Sequence, residues 1–329
     1  MKSQDFTIRF ICILFLGALC GLLPACEPAG NQAYPSRPIT YLVPWNPGGM
    51  TDLSSRILAA VLQEKLGQPV NVVNRTGGSG VVGHLTLSKA KPDGYTIGAV
   101  TVESTLMHWQ GLTDLTVKDF TPLALLSNNA SAITVRADAP WNTLDELIAA
   151  IRANPGKLLA SGTAKGGIWD LARIGFLQAA GLPESAMPWV PSQGAAPALQ
   201  ELVANGVHVV TAALAEVDAL RRAGQVKVLG VMADERLAEF PDVPTLKEQG
   251  IAWSIGGWVS VGAPAGLPEE VKNALSAAIE AAATDTTLVN AFARSGFNLS
   301  FQPAADCAAF YEAEDLRNGQ LLEVAGLKK

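Results

Sequence analysis

Residues 44–52 read "PWNPGGMTD" and lie between the apolar run "ITYLV" and the helix-patterned stretch "LSSRILAAVLQEKLG". A proline- and glycine-rich turn leading from a buried strand straight into a helix restricts the fold more than any other feature here. It brings backbone N–H groups to a helix N-terminus, where the helix dipole favours an anion. Such a junction occurs again at residues 160–170, "ASGTAKGGIWD", and again at 191–198, "PSQGAAPA". Open α/β sheets bind ligands beyond the carboxyl ends of their strands, so loops of this kind face a common crevice.

The pattern around these loops is strand–helix alternation. In "DLSSRILAAVLQEKLG", Leu53, Ile57, Leu58, Val61, Leu62 and Leu66 recur at helical spacing, and Gly67 ends the helix. Strands "PITYLVP", "PVNVVN" and "YTIGAVTV" make a first unit, with the glycine loop at 77–83 and a short helix "HLTLSKA" between the last two. The alternation then restarts at "SAITVRADAP", followed by "TLDELIAAIRANPG", whose Thr143 and Glu146 fit a capping box. "KLLASG", "AMPWVP", "VHVVTAA" and "VKVLGVMA" continue as strands, separated by helices. The strand "WVSVGAPAGLP" and two C-terminal helices close the chain. Alternation of this kind gives a parallel sheet covered on both faces, and two such units give a cleft.

With 329 residues, 49% hydrophobic and 16% charged, the chain can bury a large core and is long enough for two domains. A net charge of −6 without any Lys/Arg run leaves no field to track phosphates, so nucleic acid is not an expected partner. The start of the chain, Lys2 and Arg9 before "FICILFLGALCGLL", is an export signal whose apolar run is shorter than the roughly 20 residues of a membrane span. It ends in "LPAC", which resembles the lipobox of bacterial lipoproteins. Residues 1–25 are therefore expected to be a signal peptide and Cys26 to carry lipid. Residues 26–33 would be a tether, and the protein would sit on the cell-envelope side of a membrane. Cys12 and Cys20 leave with the signal, so Cys307 has only a lipidated Cys26 as a possible mate and no disulfide is expected.

An enzyme reading has two footholds. "GSGVVG", residues 78–83, has the spacing of a dinucleotide fingerprint, and Glu103 ends the next strand about 20 residues later, as that fingerprint requires. The helix after the loop is nevertheless cut short by Pro92 and Gly94, and an exported compartment offers little free dinucleotide. Ser79 misses the last glycine of a nucleophile elbow, and with only His84, His108 and His208 a triad has few bases and zinc no ligand pair. His84 and His108 read as surface or loop-packing residues, and His208 as a strand histidine. No cofactor, metal or catalytic residue is expected.

The stretches "YPSRPITYLVPWNPGGMTD", "LGQPVNVVNRTGGSGVVG", "KPDGYTIG", "NPGKLLASGTAKGG", "PSQGAAPALQELVANG" and "FPDVPTLKEQG", in that order, resemble the substrate-binding proteins of tripartite tricarboxylate transporters, the Bug-type receptors. The resemblance runs from about residue 34 to the C-terminus. It implies an α/β, type II-like periplasmic binding fold with a ligand cleft between two lobes, 34–132 plus 259–329 and 133–258. It also implies a monomer that closes on a small organic carboxylate, a di- or tricarboxylate or an aromatic acid, and passes it to membrane permease subunits. A same-fold receptor feeding a sensor is the alternative.

Carried over by that resemblance, the ligand-binding residues are Trp45, Asn46, Pro47, Gly48, Gly49, Met50, Thr51 and Asp52 of the first loop. The second loop gives Ser161, Gly162, Thr163, Ala164, Lys165, Gly166, Gly167, Trp169 and Asp170. Ser192, Gln193, Gly194 and Ala195 complete the pocket with Thr211. The chain departs from the family where many members follow the second loop with serine and histidine; here Trp169 and Asp170 stand there. An ionised Asp170 repels a carboxylate unless Lys165 or an arginine neutralises it. Ala212 and Ala213 replace polar residues common in the family, so a more apolar pocket is expected. Seven tryptophans beside four tyrosines raise the possibility of an aromatic ligand, with Trp45 best placed to flank it and Trp189 and Trp258 near the cleft or hinge.

Overall fold

The computed structural model describes residues 34–329; the expected signal peptide, Cys26 and the tether lie outside the described residues. In chain order the elements are β1 (Ile39–Val43), α1 (Met50–Leu66), β2 (Val70–Asn74), α2 (Val81–Ser88), β3 (Thr96–Thr101), β4 (Phe120–Arg136), α3 (Leu144–Ala153), β5 (Ala160–Ser161), α4 (Ile168–Ala179), β6 (Trp189–Val190), α5 (Ala195–Val203), β7 (Val209–Ala213), α6 (Leu214–Arg222) and β8 (Val226–Val231). The chain finishes with β9 (Gly256–Pro264), α7 (Glu269–Ala283), α8 (Thr286–Arg294), β10 (Leu299–Pro303) and α9 (Ala304–Val324).

The strands form one ten-stranded sheet in the order β2-β1-β3-β9-β4-β7-β5-β6, with β8 and β10 also paired to β4. β1 is parallel to β2 and β3, and β5 is parallel to β6 and β7, as the two alternating stretches of sequence demand. What joins them is β4. From Phe120 to Ala130 it runs antiparallel to β9, and from Ser131 onward it pairs with β7 and β8. One 17-residue strand thus belongs to both halves of the sheet, and the result is a two-lobe α/β fold. No helix among the described residues is long and apolar enough to cross a membrane.

Local chemistry accounts for the element ends. α1 stops at Gly67, whose φ of 65° is the left-handed geometry that glycine adopts without penalty. Its Leu58, Val61 and Leu62 are buried against the sheet, each contributing roughly 1.5–3 kcal/mol. Leu53, expected on that face, is 40% exposed, because the helix turns Ser54 and Ser55 inward and satisfies their hydroxyls on the Met50 and Thr51 carbonyls. At α3 the Thr143 hydroxyl accepts the Glu146 amide at 3.2 Å, but the return bond from Glu146 goes to the amide of Asn142, one residue before the cap.

Four elements differ from the pattern read in the sequence. β4 begins eleven residues earlier than "SAITVRADAP" suggests and ends at Arg136; the segment "KLLASG" yields only the two-residue β5. α8 and β10 were not legible as separate elements. β4 is buried on both faces along most of its length, so it shows little of the alternation that marks a half-exposed strand.

Candidate functional site

The two "GG" loops have one construction. Gly48 (φ 94°) and Gly166 (φ 70°) take left-handed backbone conformations, and Gly49 and Gly167 are the extended N-caps of α1 and α4. Neither cap glycine offers a side chain, so the carboxylate three residues further on reaches back into the loop. Asp52 accepts the Gly48 amide at 3.0 Å and Asp170 accepts the Gly166 amide at 2.8 Å. Each acid is held by an arginine of its own helix: Arg56 bonds Asp52 at 3.0 Å, and Arg173 grips Asp170 through two nitrogens at 2.6 and 2.8 Å. Burial pulls Asp52 upward, but bonds from Arg56, Asn74 and Gly48 bring it below its usual value. For Asp170, wholly buried, burial prevails and raises the pKa although Arg173 opposes it.

Asp170 is therefore a loop clamp, and its neutralising partner is Arg173; Lys165 is exposed. Trp169 packs inward and also lines the cleft, with its carbonyl bonded by the Thr211 hydroxyl at 2.7 Å. Thr211 is thereby a buried support for α4 that does not reach the cleft wall. Ser161 likewise bonds the Val190 carbonyl at 2.7 Å.

Of the residues expected to bind ligand, Trp45, Asn46, Gly49, Met50, Thr51, Thr163, Trp169, Gly194 and Ala195 line one cavity between the lobes. Ala164, Lys165, Gly166 and Gly167 line a smaller crevice beside it, with Gln110. Gly48 faces an outer groove along α5, and Gln193 is exposed. Pro47, Asp52, Gly162, Asp170 and Ser192 lie outside the cavity wall. Gly162 is needed for packing, since a Cβ there would stand 2.4 Å from the Thr211 carbonyl. Trp258, 1% exposed, stacks on Tyr311 and bonds Glu314 at 3.0 Å; it forms part of the cavity wall. Trp189 lies over Arg173, away from the cavity.

The lobes are closed on each other. The Asn46 amide bonds the Gln193 carbonyl at 3.2 Å, and Gln110 Nε2 bonds the Gly166 carbonyl at 2.6 Å. The cavity left between the lobes, still partly open to solvent, is about 30 Å³, room for one or two water molecules.

Besides Trp258, six wall residues were not among those expected to bind ligand, Thr101, Val102, Glu103, Ile168, Glu216 and Gly257, and two of them are acids. Glu103, 5% exposed, follows β3 and meets the other lobe: the Ile168 amide at the start of α4 bonds its carboxylate. Glu216 makes the reverse contact, leaving α6 to accept the Met50 amide of α1 at 2.7 Å with one oxygen and the Ala213 amide at 3.2 Å with the other. Burial raises the pKa of Glu103 against the bonds from Thr101 and Ile168. Glu216 is pushed up to about 7, chiefly by burial and further by the charge of Glu103, while the two amides oppose the shift. The Thr101 hydroxyl donates to Glu103 at 2.6 Å and accepts Trp45 Nε1 at 3.4 Å, so Trp45 is tied to this acid. The cavity is acidic where the alanines had suggested an apolar one; Ala212 and Ala213 lie buried in β7 and do not reach it.

Glu103 was legible in principle, as a charged residue at the carboxyl end of a parallel strand. Glu216 reads in sequence as an ordinary first-turn helix acid, and only the closed lobes show its second bond.

The glycines of "GSGVVG" serve packing. Gly80 leaves room for the Trp45 ring, 3.1 Å from where its Cβ would be, and a Cβ on Gly83 would lie 2.5 Å from both the Arg75 carbonyl oxygen and Pro44 Cα. His84, expected as a surface or loop-packing residue, is 1% exposed: Nδ1 meets the Gly80 carbonyl of the loop at 2.8 Å and Nε2 accepts the Thr101 amide at 3.2 Å. His208, just before β7, accepts the Leu159 amide at 3.0 Å.

Fold and cleft together define a two-lobe periplasmic binding protein. Residues 54–327 match the model of the tripartite tricarboxylate transporter family receptor. A UPF0065 protein of Bordetella pertussis is 33% identical over 94% of this chain and 96% of its own, and BugT of the same organism is 31% identical over 85% and 87%. The chain belongs to this family of solute-binding receptors. Among solved structures, the periplasmic binding protein BugD superposes with a TM-score of 0.84 at 25% identity, covering 90% of this chain and all of BugD. MatC from Rhodopseudomonas palustris, solved with malate, gives 0.81 at 26% identity over 88% of this chain and 100% of its own; a second R. palustris protein, solved with adipate, gives 0.84 at 28% over 89% and 98%.

Proposed function

We propose that the protein is an extracytoplasmic receptor that captures a small organic carboxylate by lobe closure and delivers it to a tripartite tricarboxylate-type permease. The observation that carries this reading is the convergence of three helix N-termini, those of α1, α4 and α5, on one interlobe cavity. Backbone amides held in this way bind an anion without a buried cation that would lack a partner in the open form, although in the closed form the first amides of α1 and α4 are bonded to Glu216 and Glu103. Malate and adipate in the two related structures are acids of the class such a cleft would take. The first loop at 45–52, the second at 161–170 and the segment 192–195 form the site. The lobes are 34–132 plus 259–329 and 133–258, turning about β4 and β9. No chemical step is assigned to any residue. Lipid on Cys26 would hold the receptor at the membrane.

Thermal unfolding of the purified protein with a panel of organic acids tests this. A ligand at about 100 times its dissociation constant adds roughly 2.7 kcal/mol, a shift of a few degrees for a chain of this size. Gly49→Leu, which drives a side chain toward Glu216 Oε1, 3.1 Å from an ideal Cβ, should abolish the shift. If no small acid stabilises the protein, the receptor reading is wrong; delivery is tested separately by retention of permease subunits on the loaded receptor.

A further inference from the structure

The cavity carries a charge pattern that a plain di- or tricarboxylate does not match. Glu103 and Glu216 approach it from opposite lobes, near enough for one charge to act on the other, and no lysine, arginine or histidine is among the described residues that line it. The two acids also occupy the places where an anion would sit. Glu216 holds the first-turn amide of α1, and Glu103 that of α4. A ligand with two or three carboxylates would put further negative charge beside this pair, with no basic side chain in the wall to receive it.

A second observation concerns the other end of a ligand. Thr163 is 5% exposed, lines the same cavity and has no hydrogen-bond partner for Oγ1, although buried hydroxyls are nearly always satisfied. It belongs to the second glycine loop, its Oγ1 3.2 Å from where a Gly167 Cβ would be. Gly194 and Ala195, at the start of α5, share its cavity. This side offers a hydroxyl and a helix N-terminus for one carboxylate.

We propose that the cleft selects an organic acid that also bears an ammonium group, the carboxylate directed to Thr163 and the start of α5 and the ammonium placed between Glu103 and Glu216. The cavity that both acids line holds about 30 Å³ in the closed form, of ammonium or water size, and the lobes part to admit the carbon frame. The inference rests on the receptor reading and narrows its ligand class.

The test is isothermal titration of the full chain at pH 7 with matched pairs that differ only in the ammonium: L-aspartate and succinate, L-glutamate and glutarate, L-phenylalanine and 3-phenylpropionate. The expected result is that the ammonium-bearing member of at least one pair binds about tenfold or more tightly than its partner, and that Glu103→Gln and Glu216→Gln each weaken it about tenfold or more. The isosteric amides preserve the shape of the cleft, and circular dichroism confirms that each variant is folded. Equal or tighter binding of the partner acids, with or without proton uptake, overturns the inference and leaves the receptor reading standing. An ammonium ligand whose affinity survives both substitutions overturns the role of the acids. Silence from all six compounds overturns the inference, and the wider acid panel then decides the receptor reading on its own.

Discussion

Asp170 accepts the backbone amide of Gly166 at 2.8 Å, four residues before it in the chain. Asp52 does the same to Gly48 in the other lobe at 3.0 Å, so both loops are held by one device. The sequence shows it as a repeated Gly-Gly-x-x-Asp-Leu, at 48–53 and 166–171. The difference lies in depth. Arg173 is 1% exposed and Asp170 wholly buried, whereas the side chain of Arg56 is 47% exposed.

Asp170→Ala leaves the buried Arg173 guanidinium with only the half-exposed Glu184 carboxylate, 3.2 Å away, as counter-charge and should cost about 3 kcal/mol or more. Asp52→Ala removes a loop clamp whose arginine can turn to solvent, and should cost about 1–2 kcal/mol. Urea unfolding of the two variants distinguishes them; equal losses would mean that burial of the pair does not set its worth.

Gly83→Ala places a methyl 2.5 Å from the Arg75 carbonyl and Pro44, both main-chain neighbours that cannot step aside. A loss of about 3 kcal/mol or more is expected, from displacement of α2 off β1. At Gly67 a Cβ meets nothing within 4 Å, and only the φ of 65° opposes it, so Gly67→Ala should cost about 1 kcal/mol. Thermal melts that rank the two the other way would refute the packing account of "GSGVVG".

Glu216 has a folded pKa of about 7 against an ordinary 4.5, so the folded protein binds the extra proton in that window. Its contribution to stability is fully present below about pH 4.5 and is lost as the pH rises through 7. Partial exposure of the side chain limits the effect to about 1–2 kcal/mol. Glu216→Gln should flatten this part of the stability profile, measured by urea unfolding between pH 5 and 8; an unchanged slope would show that Glu216 does not titrate there.

His84 gives the opposite slope. Burial lowers its pKa to about 4, and protonation would set Nε2–H against the Thr101 amide donor. The unfolded chain takes the proton near 6.5, so stability is complete above that value and falls by about 3 kcal/mol as the pH drops through 4. Nuclear magnetic resonance titration of the ring should show it neutral at pH 5. A midpoint near 6.5 would contradict the buried tautomer.

Much of this protein is local and could be read from its residues. Apolar runs followed by helical spacing placed the parallel strands and most helices, because period and turn chemistry act over a few residues. The strand–turn–helix junctions located the loops that converge on the cleft, and nine of the residues named from them line it. β4 was legible only from Ser131 to Arg136, the last third of the strand, since a strand buried by both lobes carries no alternation to mark its start.

What the tertiary structure decided is which groups meet. No spacing rule relates Glu216 to Met50, 166 residues apart, or Gln110 to Gly166. The same holds for the acidity of the cavity, which arises when two lobes bring Glu103 and Glu216 together. The sequence determined that helix N-termini would be presented to a cleft, because capping and turn formation are short-range. Only closure of the lobes determined that the protein's own carboxylates take two of those termini, because burial and charge depend on neighbours brought in from far along the chain.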